Sequence, residues 1–264
     1  MMLKDKVILV SGIGPGLGVK LAIEAAREGA RAVTITARTY EKLEDAEEQV
    51  HAVAPACRVL KIATDMRDAA QCEHAATRTV EAFGRIDGLV NSGYIHGSFG
   101  EPIEKANLTE WADIFATNVR GSTQMTLACV AHMKRQGGGA VVMINTMGML
   151  KPYPGGGLYS ATKAALLTAT NYLAIELGPD NIRVNTARMG WMWGDPVKQA
   201  IKEMAEARLC TEQQIIAGIS ANIPLGRIVT DDECARAALF LLSDFSSAVT
   251  GAVIDCNGGE TLAS

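Results

Sequence analysis

A tyrosine and a lysine stand four positions apart at the start of an alanine- and leucine-rich segment, as Tyr159 and Lys163. Residues at this spacing lie on one face of a helix, so the phenol and the ammonium can serve one site. A free tyrosine has a pKa of about 10, and a neighbouring cation favours the phenolate and brings that pKa toward working pH. The pair therefore predicts a general acid and base that moves a proton at a substrate oxygen.

A threonine precedes this pair at the predicted end of a strand, as Thr146. Its hydroxyl could bind a carbonyl oxygen beside the phenol of Tyr159. Threonine is also common in strands for packing reasons alone. At this stage both interpretations of Thr146 stay open.

A glycine-rich segment at residues 11–18 lies between the first predicted strand and the first predicted helix. Its glycines follow the spacing GxxxGxG, at Gly12, Gly16 and Gly18. In an open parallel sheet this turn is where a phosphate meets the free N–H groups of a helix N-terminus. Val19 follows the last glycine, where a P-loop requires lysine, so a P-loop NTPase is excluded. A flexible turn without a ligand is the other interpretation.

The end of the second predicted strand carries a cation where many dinucleotide sites carry an acid. The chain has Arg38 at this point and no carboxylate before Glu41. An acid here accepts a hydrogen bond from the 2′-hydroxyl of NAD, whereas a guanidinium suits the 2′-phosphate of NADP. The pattern favours NADP, with NAD less favoured, unless Arg38 only begins a solvated loop.

Short β-branched runs alternate with longer amphipathic runs along the whole chain, which predicts βαβ units and a parallel sheet. Helices are predicted between the strands, the first two at 17–28 and 40–54. An irregular stretch at about 189–223 holds two short helices and is interpreted as a substrate lid over a single domain, 1–264. The predicted strands are 6–10, 32–37, 58–63, 86–91, 140–145, 182–186 and 252–255.

Composition and charge exclude several classes of protein. The formal net charge is −4, which argues against a nucleic-acid surface, and the longest apolar runs are too short to cross a bilayer. The six cysteines form no CxxC pair and have no companion histidine spacing, so free thiols are expected, with no disulfide and no metal site. The N-terminus shows no signal-peptide pattern, and a cytoplasmic protein is expected.

Further motifs occur in a fixed order around the glycine loop and the Tyr–Lys pair, and together they resemble the short-chain dehydrogenase/reductase family over essentially the whole chain. An acidic residue follows the third strand, an Asn-Ser-Gly-Tyr segment stands where the family has NNAG, and an IRVN strand and a terminal glycine motif complete the series. The residues that carry these motifs are Asp65, the segment 91–94, Asn118, the segment 182–185, Thr250, Gly251, Gly258 and Gly259.

The resemblance implies a single-domain α/β fold, a Rossmann-like doubly wound parallel sheet of about seven strands with flanking helices. It also implies an NAD(P)-dependent alcohol dehydrogenase or ketoreductase. Tyr159 is then the general acid and base, Lys163 binds the nicotinamide ribose and lowers the pKa of the phenol, Asn118 holds the water of a proton relay, and Thr146 orients the substrate. The expected cofactor-binding residues are Gly12, Pro15, Gly16, Leu17, Gly18, Arg38, Asp65, Met66, Asn91, Gly93, Tyr159, Lys163, Gly190 and Met192.

Three positions depart from the family pattern. The family serine is replaced by Thr146, which keeps the hydroxyl but restricts χ1. The Pro-Gly after the sixth strand is Met189-Gly190, which makes the turn into the lid less rigid. The threonine that often contacts the carboxamide is replaced near Gly194. Each departure is expected to tune the pocket or alter turnover.

Apolar, adaptable side chains flank the expected reaction centre, which favours a hydrophobic secondary alcohol or ketone as the substrate. The same residues are equally explained by packing of the lid or of a subunit interface. His96, in the loop beyond Asn91, is given little weight. The expected substrate-binding residues are Thr146, Met147, Met149, Tyr159, Trp191 and Trp193.

Two other classes of protein compete with this assignment. A non-catalytic dinucleotide-binding regulator on the same fold is expected to lose Tyr159 or Lys163, and both are present. A carbon–carbon double-bond reductase is disfavoured because such members of the family widen the Tyr–Lys spacing.

The family resemblance also predicts a homotetramer, assembled through the segments 108–136, 157–177 and 252–264.

Overall fold

The computed structural model describes residues 1–98 and 100–262. Its centre is a seven-stranded parallel sheet with the spatial order β3-β2-β1-β4-β5-β6-β9. The predicted doubly wound parallel fold is confirmed. Its strands are β1 (Val7–Ser11), β2 (Ala32–Ala37), β3 (Arg58–Ala63), β4 (Gly88–Asn91), β5 (Gly139–Thr146), β6 (Ile182–Met189) and β9 (Val253–Cys256).

The helices pack on both faces of this sheet, in two separate apolar clusters. The first cluster joins α1, α2 and α9, and the second joins α3, α5 and α6. The helix bounds are α1 (Leu17–Arg27), α2 (Glu41–Val53), α3 (Ala69–Phe83), α4 (Leu108–Phe115), α5 (Ser122–Arg135), α6 (Gly157–Leu177), α7 (Asp195–Ala207), α8 (Glu212–Ser220) and α9 (Asp231–Phe240).

The sequence determines where several of these elements begin and end. Every residue of β1 and β2 is buried, because parallel strands covered on both faces need continuous apolar side chains. Asp68 caps α3 by accepting from the amides of Ala70 and Gln71, and Thr230 forms a capping box with Glu233 at the start of α9. Most predicted strand bounds agree with the structure within two residues.

The strands that follow β1 are added on one side of it as far as β3, and the strands from β4 onward are added on its other side. From β1 the chain passes to β2 and β3, and β4 then returns to the other side of β1. The carboxyl ends of β1 and β4 therefore border a crevice that no connection crosses, which is where open α/β sheets bind ligands.

The segment predicted as a lid, residues 189–223, contains α7 and α8, and its short strand β7 (Met192–Trp193) pairs with β8 (Val229–Thr230). This small two-stranded sheet was not predicted. The two helices share an apolar cluster of their own, built around Ile201, Ile215 and Ile223. The role of the segment as a substrate lid stays a prediction. Within the described residues, no helix is both long enough and apolar enough to span a membrane.

An ion pair links the carboxyl ends of β6 and β9, at the edge of the sheet. Arg188 and Asp255 are register partners, and the guanidinium donates two hydrogen bonds to the carboxylate, Nε to Oδ1 at 2.6 Å and Nη2 to Oδ2 at 2.7 Å. The side chain of Arg188 is only 6% exposed and that of Asp255 17%. Removing one partner leaves the other charge poorly solvated, so the pair holds β9 in register.

We expect Arg188→Met to lower the free energy of unfolding by roughly 3 kcal/mol, because the carboxylate of Asp255 loses its partner in a largely buried place. Urea unfolding followed by circular dichroism measures the change. Lys134→Met breaks the more exposed pair with Asp180 and serves as the control, with an expected cost below about 1 kcal/mol. Equal costs for the two variants would contradict this account of the β9 edge.

Candidate active site

A cleft of about 260 Å³ opens at the carboxyl ends of β1 and β4, in the crevice that the strand order creates. The glycine loop forms its floor, and residues that follow β2, β3 and β4 form its walls. The sequence-predicted residues that line it are Gly12, Arg38, Asp65, Met66 and Gly93. The topology thus brings together residues from four separate segments of the chain.

The glycine loop is shaped by close contacts between backbone segments. Gly12 has φ +96°, and a Cβ on it would lie 2.2 Å from the Cα of Gly93. A Cβ on Gly18 would lie 2.2 Å from the carbonyl oxygen of Gly12. No side chain caps the N-terminus of α1, and its first turn contains no acidic residue. Free amides and a missing negative charge favour a bound phosphate there.

The far wall of the cleft carries positive charge. Arg38 and Lys42 both line the cleft beyond the end of β2, and Arg38 is exposed. Asp65 lines the same wall, but Arg67 binds its carboxylate, with Nη2 to Oδ2 at 2.7 Å. The hydrogen bonds from Arg67 lower the pKa of Asp65. Asp65 is therefore an anion already paired with one cation.

Tyr159 and Lys163 share one face of α6 as predicted, and both are buried, at 8% and 1% exposure. The ammonium of Lys163 donates to the carbonyl oxygen of Ile144 at 2.8 Å. Asn145 binds the main chain of the same helix, with Nδ2 to the carbonyl oxygen of Lys163 at 3.0 Å. The end of β5 therefore fixes both the backbone and the side chain of Lys163.

The pKa values in this pair differ from the sequence-based expectation. Burial raises the pKa of Tyr159 well above its ordinary value, and burial lowers the pKa of Lys163 to about 7. A lysine that is partly neutral near pH 7 is a weak source of positive potential for the phenol. In the structure, loss of solvation outweighs the attraction that was expected to bring the phenol toward working pH.

Thr146 ends β5, as predicted, and its hydroxyl accepts a hydrogen bond from the amide of Gly148 at 3.2 Å. The amide of Thr146 is held by Oδ1 of Asn145 at 2.9 Å. Gly190, at the end of β6, lies beside this turn, since a Cβ on it would meet Sδ of Met147 at 3.1 Å. The residues predicted to contact the substrate and those predicted to contact the cofactor therefore lie side by side, at the ends of β5 and β6.

Asn118 lies in a π-helical turn, Ala116–Gly121, between α4 and α5. Its side chain accepts from the amide of Ile95 at 2.9 Å and donates to the carbonyl oxygen of Ile95 at 3.0 Å and to Thr162 at 3.0 Å. Single π-helical turns are frequent at functional sites. The side-chain amide of Asn118 is thus committed to structural contacts, and its part in a proton relay stays a prediction.

Two rings lie against Tyr159, that of His96, to which the sequence analysis gave little weight, and that of Tyr94, which it did not place in the site. The ring centroid of His96 lies 4.3 Å from that of Tyr159, and the ring centroid of Tyr94 lies 5.8 Å from that of Tyr159. Burial and the charge of Lys163 lower the pKa of His96, which favours the neutral imidazole. The available sequence signal was their position, immediately after the Asn-Ser-Gly segment that ends β4.

Some predicted residues have structural surroundings instead. Asn91 is buried and donates to Oγ1 of Thr126 at 2.9 Å, which joins β4 to α5. Trp191 and Trp193 pack against the lid's own apolar cluster, and Met192 packs against the main core. A direct cofactor or substrate contact for these four residues stays a prediction.

The cleft fits a dinucleotide at its adenosine and pyrophosphate end. Gly12 and Gly14 line the cleft without side chains, and Arg38 with Lys42 supplies cations for a phosphate. Tyr94 lines the cleft and its ring centroid is 5.8 Å from that of Tyr159, so the Tyr159–Lys163 pair lies next to the cleft. Fold and site together indicate a dinucleotide-dependent oxidoreductase.

Comparison with known proteins agrees with this class. Residues 12–261 match the sequence model of a family described as enoyl-(acyl carrier protein) reductase. Levodione reductase of Leifsonia aquatica is 32% identical over 261 residues, covering 98% of this chain and 95% of that protein. A 3alpha-hydroxysteroid dehydrogenase of Mediterraneibacter gnavus is 34% identical over 260 residues, covering 98% of each.

Solved structures give the same result. The crystal structure of levodione reductase superposes with a TM-score of 0.89 at 31% identity, covering 97% of this chain and 98% of that one. NAD⁺-bound xylitol dehydrogenase superposes with a TM-score of 0.89 at 26% identity, covering 98% and 100%. The chain belongs to the short-chain dehydrogenase/reductase family. As such it is an NAD(P)-dependent oxidoreductase that acts on CH–OH groups, and a purely regulatory role is not favoured.

The lowered pKa of Lys163 predicts a pH-dependent stability. Between about pH 7 and pH 10 the unfolded lysine holds a proton that the folded one has released, so the free energy of unfolding rises with pH across this window. Lys163→Met removes that contribution. We therefore expect the difference in stability, wild type minus variant, to increase from pH 6.5 to pH 9.5 in urea titrations without dinucleotide. A difference independent of pH would contradict the buried, partly neutral lysine.

Proposed function

We propose that the protein transfers a hydride between NADP and a hydrophobic secondary alcohol or ketone, with Tyr159 as general acid in reduction and base in oxidation. The observation that carries the proposal is the position of Tyr159 and Lys163 on one face of α6, with Lys163 hydrogen-bonded to Ile144 and Asn145 at the end of β5, just before Thr146. This arrangement offers a hydroxyl donor, a proton donor and an ammonium around one substrate oxygen.

When bound, the nicotinamide supplies or accepts the hydride, and the chain's own residues handle the oxygen and its proton. Tyr159 donates its phenolic proton to the carbonyl oxygen as negative charge develops there. Thr146 donates a second hydrogen bond to the same oxygen and keeps the carbonyl in place. Lys163 stands behind the phenol and holds the ribose hydroxyls next to it.

Asn118 supports the return of a proton to Tyr159. In the π-helical turn its side chain ties Ile95 and Thr162 together, so the backbone of this turn is held close to α6. Its main-chain carbonyl oxygen accepts a hydrogen bond from the water molecule that connects Lys163 to solvent. The proton that Tyr159 gives up in each turnover is then replaced through Lys163.

Carbon–oxygen chemistry is preferred over reduction of a carbon–carbon double bond, although the matching family model carries the name of an enoyl reductase. The four-residue spacing of Tyr159 and Lys163 supports this choice. Met147 and Met149, which follow Thr146, give the substrate side an apolar, adaptable surface. One relative is named a 3alpha-hydroxysteroid dehydrogenase, and a steroid is a largely apolar alcohol.

Tyr159→Phe tests the proposed mechanism. It removes only the phenolic oxygen, so binding of NADPH is retained while kcat for ketone reduction falls by roughly 10² to 10⁴. Oxidation of NADPH is followed at 340 nm with a panel of cyclic and open-chain ketones, and an enoyl thioester is included to test double-bond reduction.

Tyr172→Phe is the matched control, because it makes the same change at an exposed position on the same helix. Its kcat is expected to equal that of the wild type. Turnover of Tyr159→Phe close to the wild-type rate would refute Tyr159 as the acid. Turnover of the enoyl thioester alone would refute the ketone as the substrate.

We propose NADP as the preferred cofactor because Arg38 and Lys42 line the wall where the adenosine ribose is expected. Arg38→Ala removes a charge-assisted contact to the 2′-phosphate and should weaken NADPH binding at least tenfold while NADH binding changes little. Fluorescence titration measures both affinities. Arg78→Ala, at an exposed arginine of α3, is the control. Equal wild-type affinities for NADPH and NADH would refute the preference.

We propose a homotetramer in the cytoplasm. Support for the assembly comes from exposed apolar side chains on α5 and α6, Leu127, Tyr172 and Ile175, within the segments predicted to assemble. Two separate self-complementary patches generate a dihedral tetramer by symmetry. The six cysteines are free thiols, as expected in a reducing compartment.

Light scattering at micromolar concentration tests the assembly. The expected mass is about four times the 28.0 kDa of one chain. Ile175→Asp places a charge on the exposed face of α6 and should lower the measured mass, because an apolar interface does not accept an unpaired carboxylate. A wild-type mass of one chain would refute the tetramer.

A further inference from the structure

Residue 94 brings a large side chain to a place where the family motif has glycine. The segment that stands for NNAG is Asn91-Ser92-Gly93-Tyr94, so a tyrosine follows the glycine that touches the glycine loop. Tyr94 lines the dinucleotide cleft. Its ring centroid is 5.7 Å from Nζ of Lys163, the group expected to hold the nicotinamide ribose.

The backbone on both sides of Tyr94 is fixed. Gly93 lies against Gly12, where a Cβ on Gly12 would be 2.2 Å from the Cα of Gly93. Ile95 gives both its amide and its carbonyl to the side chain of Asn118, at 2.9 and 3.0 Å. The ring of Tyr94 can therefore change place only by rotation of its own side chain, and the backbone cannot withdraw from the cleft.

The ring also has partners that hold it over the lysine. It packs edge-on against His96 at 4.9 Å and at a tilt against Tyr159 at 5.8 Å. Aromatic pairs at these distances attract each other, and so do an ammonium and a ring face. Tyr94 is nonetheless 45% exposed, so its outer side faces solvent and offers a direction in which the ring can turn.

Tyr94 lines the cleft together with Ile95 and Thr117, whereas Tyr159 and Lys163 are not among its lining residues. A dinucleotide must extend past this point to bring its nicotinamide to Tyr159. Tyr94 belongs to the cleft lining and its ring also stands against Tyr159 and Lys163, so it lies where the nicotinamide half is expected to pass.

We propose that Tyr94 controls the affinity for the nicotinamide half of the cofactor, because its ring stands over Lys163 and must turn toward solvent before that half can bind. The inference rests on the proposed use of NADP. It makes Tyr94 a determinant of cofactor affinity that acts on the nicotinamide half and leaves binding of the adenosine half unaffected. Displacing the ring breaks its contacts with Lys163, His96 and Tyr159, and this loss lowers the affinity for the whole dinucleotide.

The test compares NADPH with 2′,5′-ADP, which carries the adenosine half and lacks the nicotinamide half. Dissociation constants are measured by calorimetry for the wild type and for Tyr94→Ala, Tyr94→Phe and Tyr94→Trp. NADH and 5′-AMP are titrated in parallel, so that the outcome does not depend on which cofactor is preferred. The association rate of NADPH is measured by stopped-flow fluorescence.

Removing the ring should strengthen NADPH binding by about tenfold, which corresponds to about 1.4 kcal/mol, and should raise the association rate. Tyr94→Phe keeps the ring and should match the wild type within about twofold, and Tyr94→Trp should bind NADPH several times more weakly. The affinity for 2′,5′-ADP should be the same in all four proteins. Because three substitutions are compared, the expected order remains testable if one variant fails to fold.

Two results would overturn this inference alone. Weaker NADPH binding by Tyr94→Ala would mean that the ring supports the nicotinamide half instead of obstructing it. Equal changes for NADPH and 2′,5′-ADP would mean that Tyr94 acts on the cleft as a whole. If the wild type binds none of the four nucleotides, the proposed function fails as well, and that outcome is distinct from the other two.

Discussion

The contact between Gly12 and Gly93 is the constraint on which the site depends. The two residues follow neighbouring parallel strands, β1 and β4, and their backbones are so close that a Cβ on Gly12 would lie 2.2 Å from the Cα of Gly93. The contact places the N-terminus of α1 next to the segment that leads to Tyr94 and His96. The phosphate end of the cleft and the aromatic end are therefore parts of one rigid backbone arrangement.

The reaction centre illustrates how burial competes with charge. Lys163 is almost completely enclosed, with one hydrogen bond from its ammonium to Ile144, and its pKa falls to about 7. Tyr159 is enclosed as well, and its pKa rises. Charge on either group is costly in this environment, so the pair is suited to exchange a proton with a bound substrate and to hold little charge between turnovers.

The segment predicted as a lid, residues 189–223, packs around an apolar core of its own and also contacts the glycine loop. Its helices α7 and α8 share their own apolar cluster, which includes the two tryptophans of the segment after β6. Pro196, at the start of α7, lies against the loop, since a Cβ on Gly16 would be 3.3 Å from its Cγ. A segment with an apolar core of its own suits the proposed role of a lid.

The sequence by itself determined the alternation of strands and helices, the single parallel sheet, the glycine loop and the Tyr159–Lys163 pair, because these depend on local periodicity and on fixed spacings along one element. The tertiary structure decided which side chains meet across elements. It directed Asn91 into the interior toward Thr126, committed the side chain of Asn118 to Ile95, and brought His96 and Tyr94 against Tyr159. The pKa values of Tyr159 and Lys163 also depended on it, since burial is a property of the packed molecule and no spacing in the sequence reveals it.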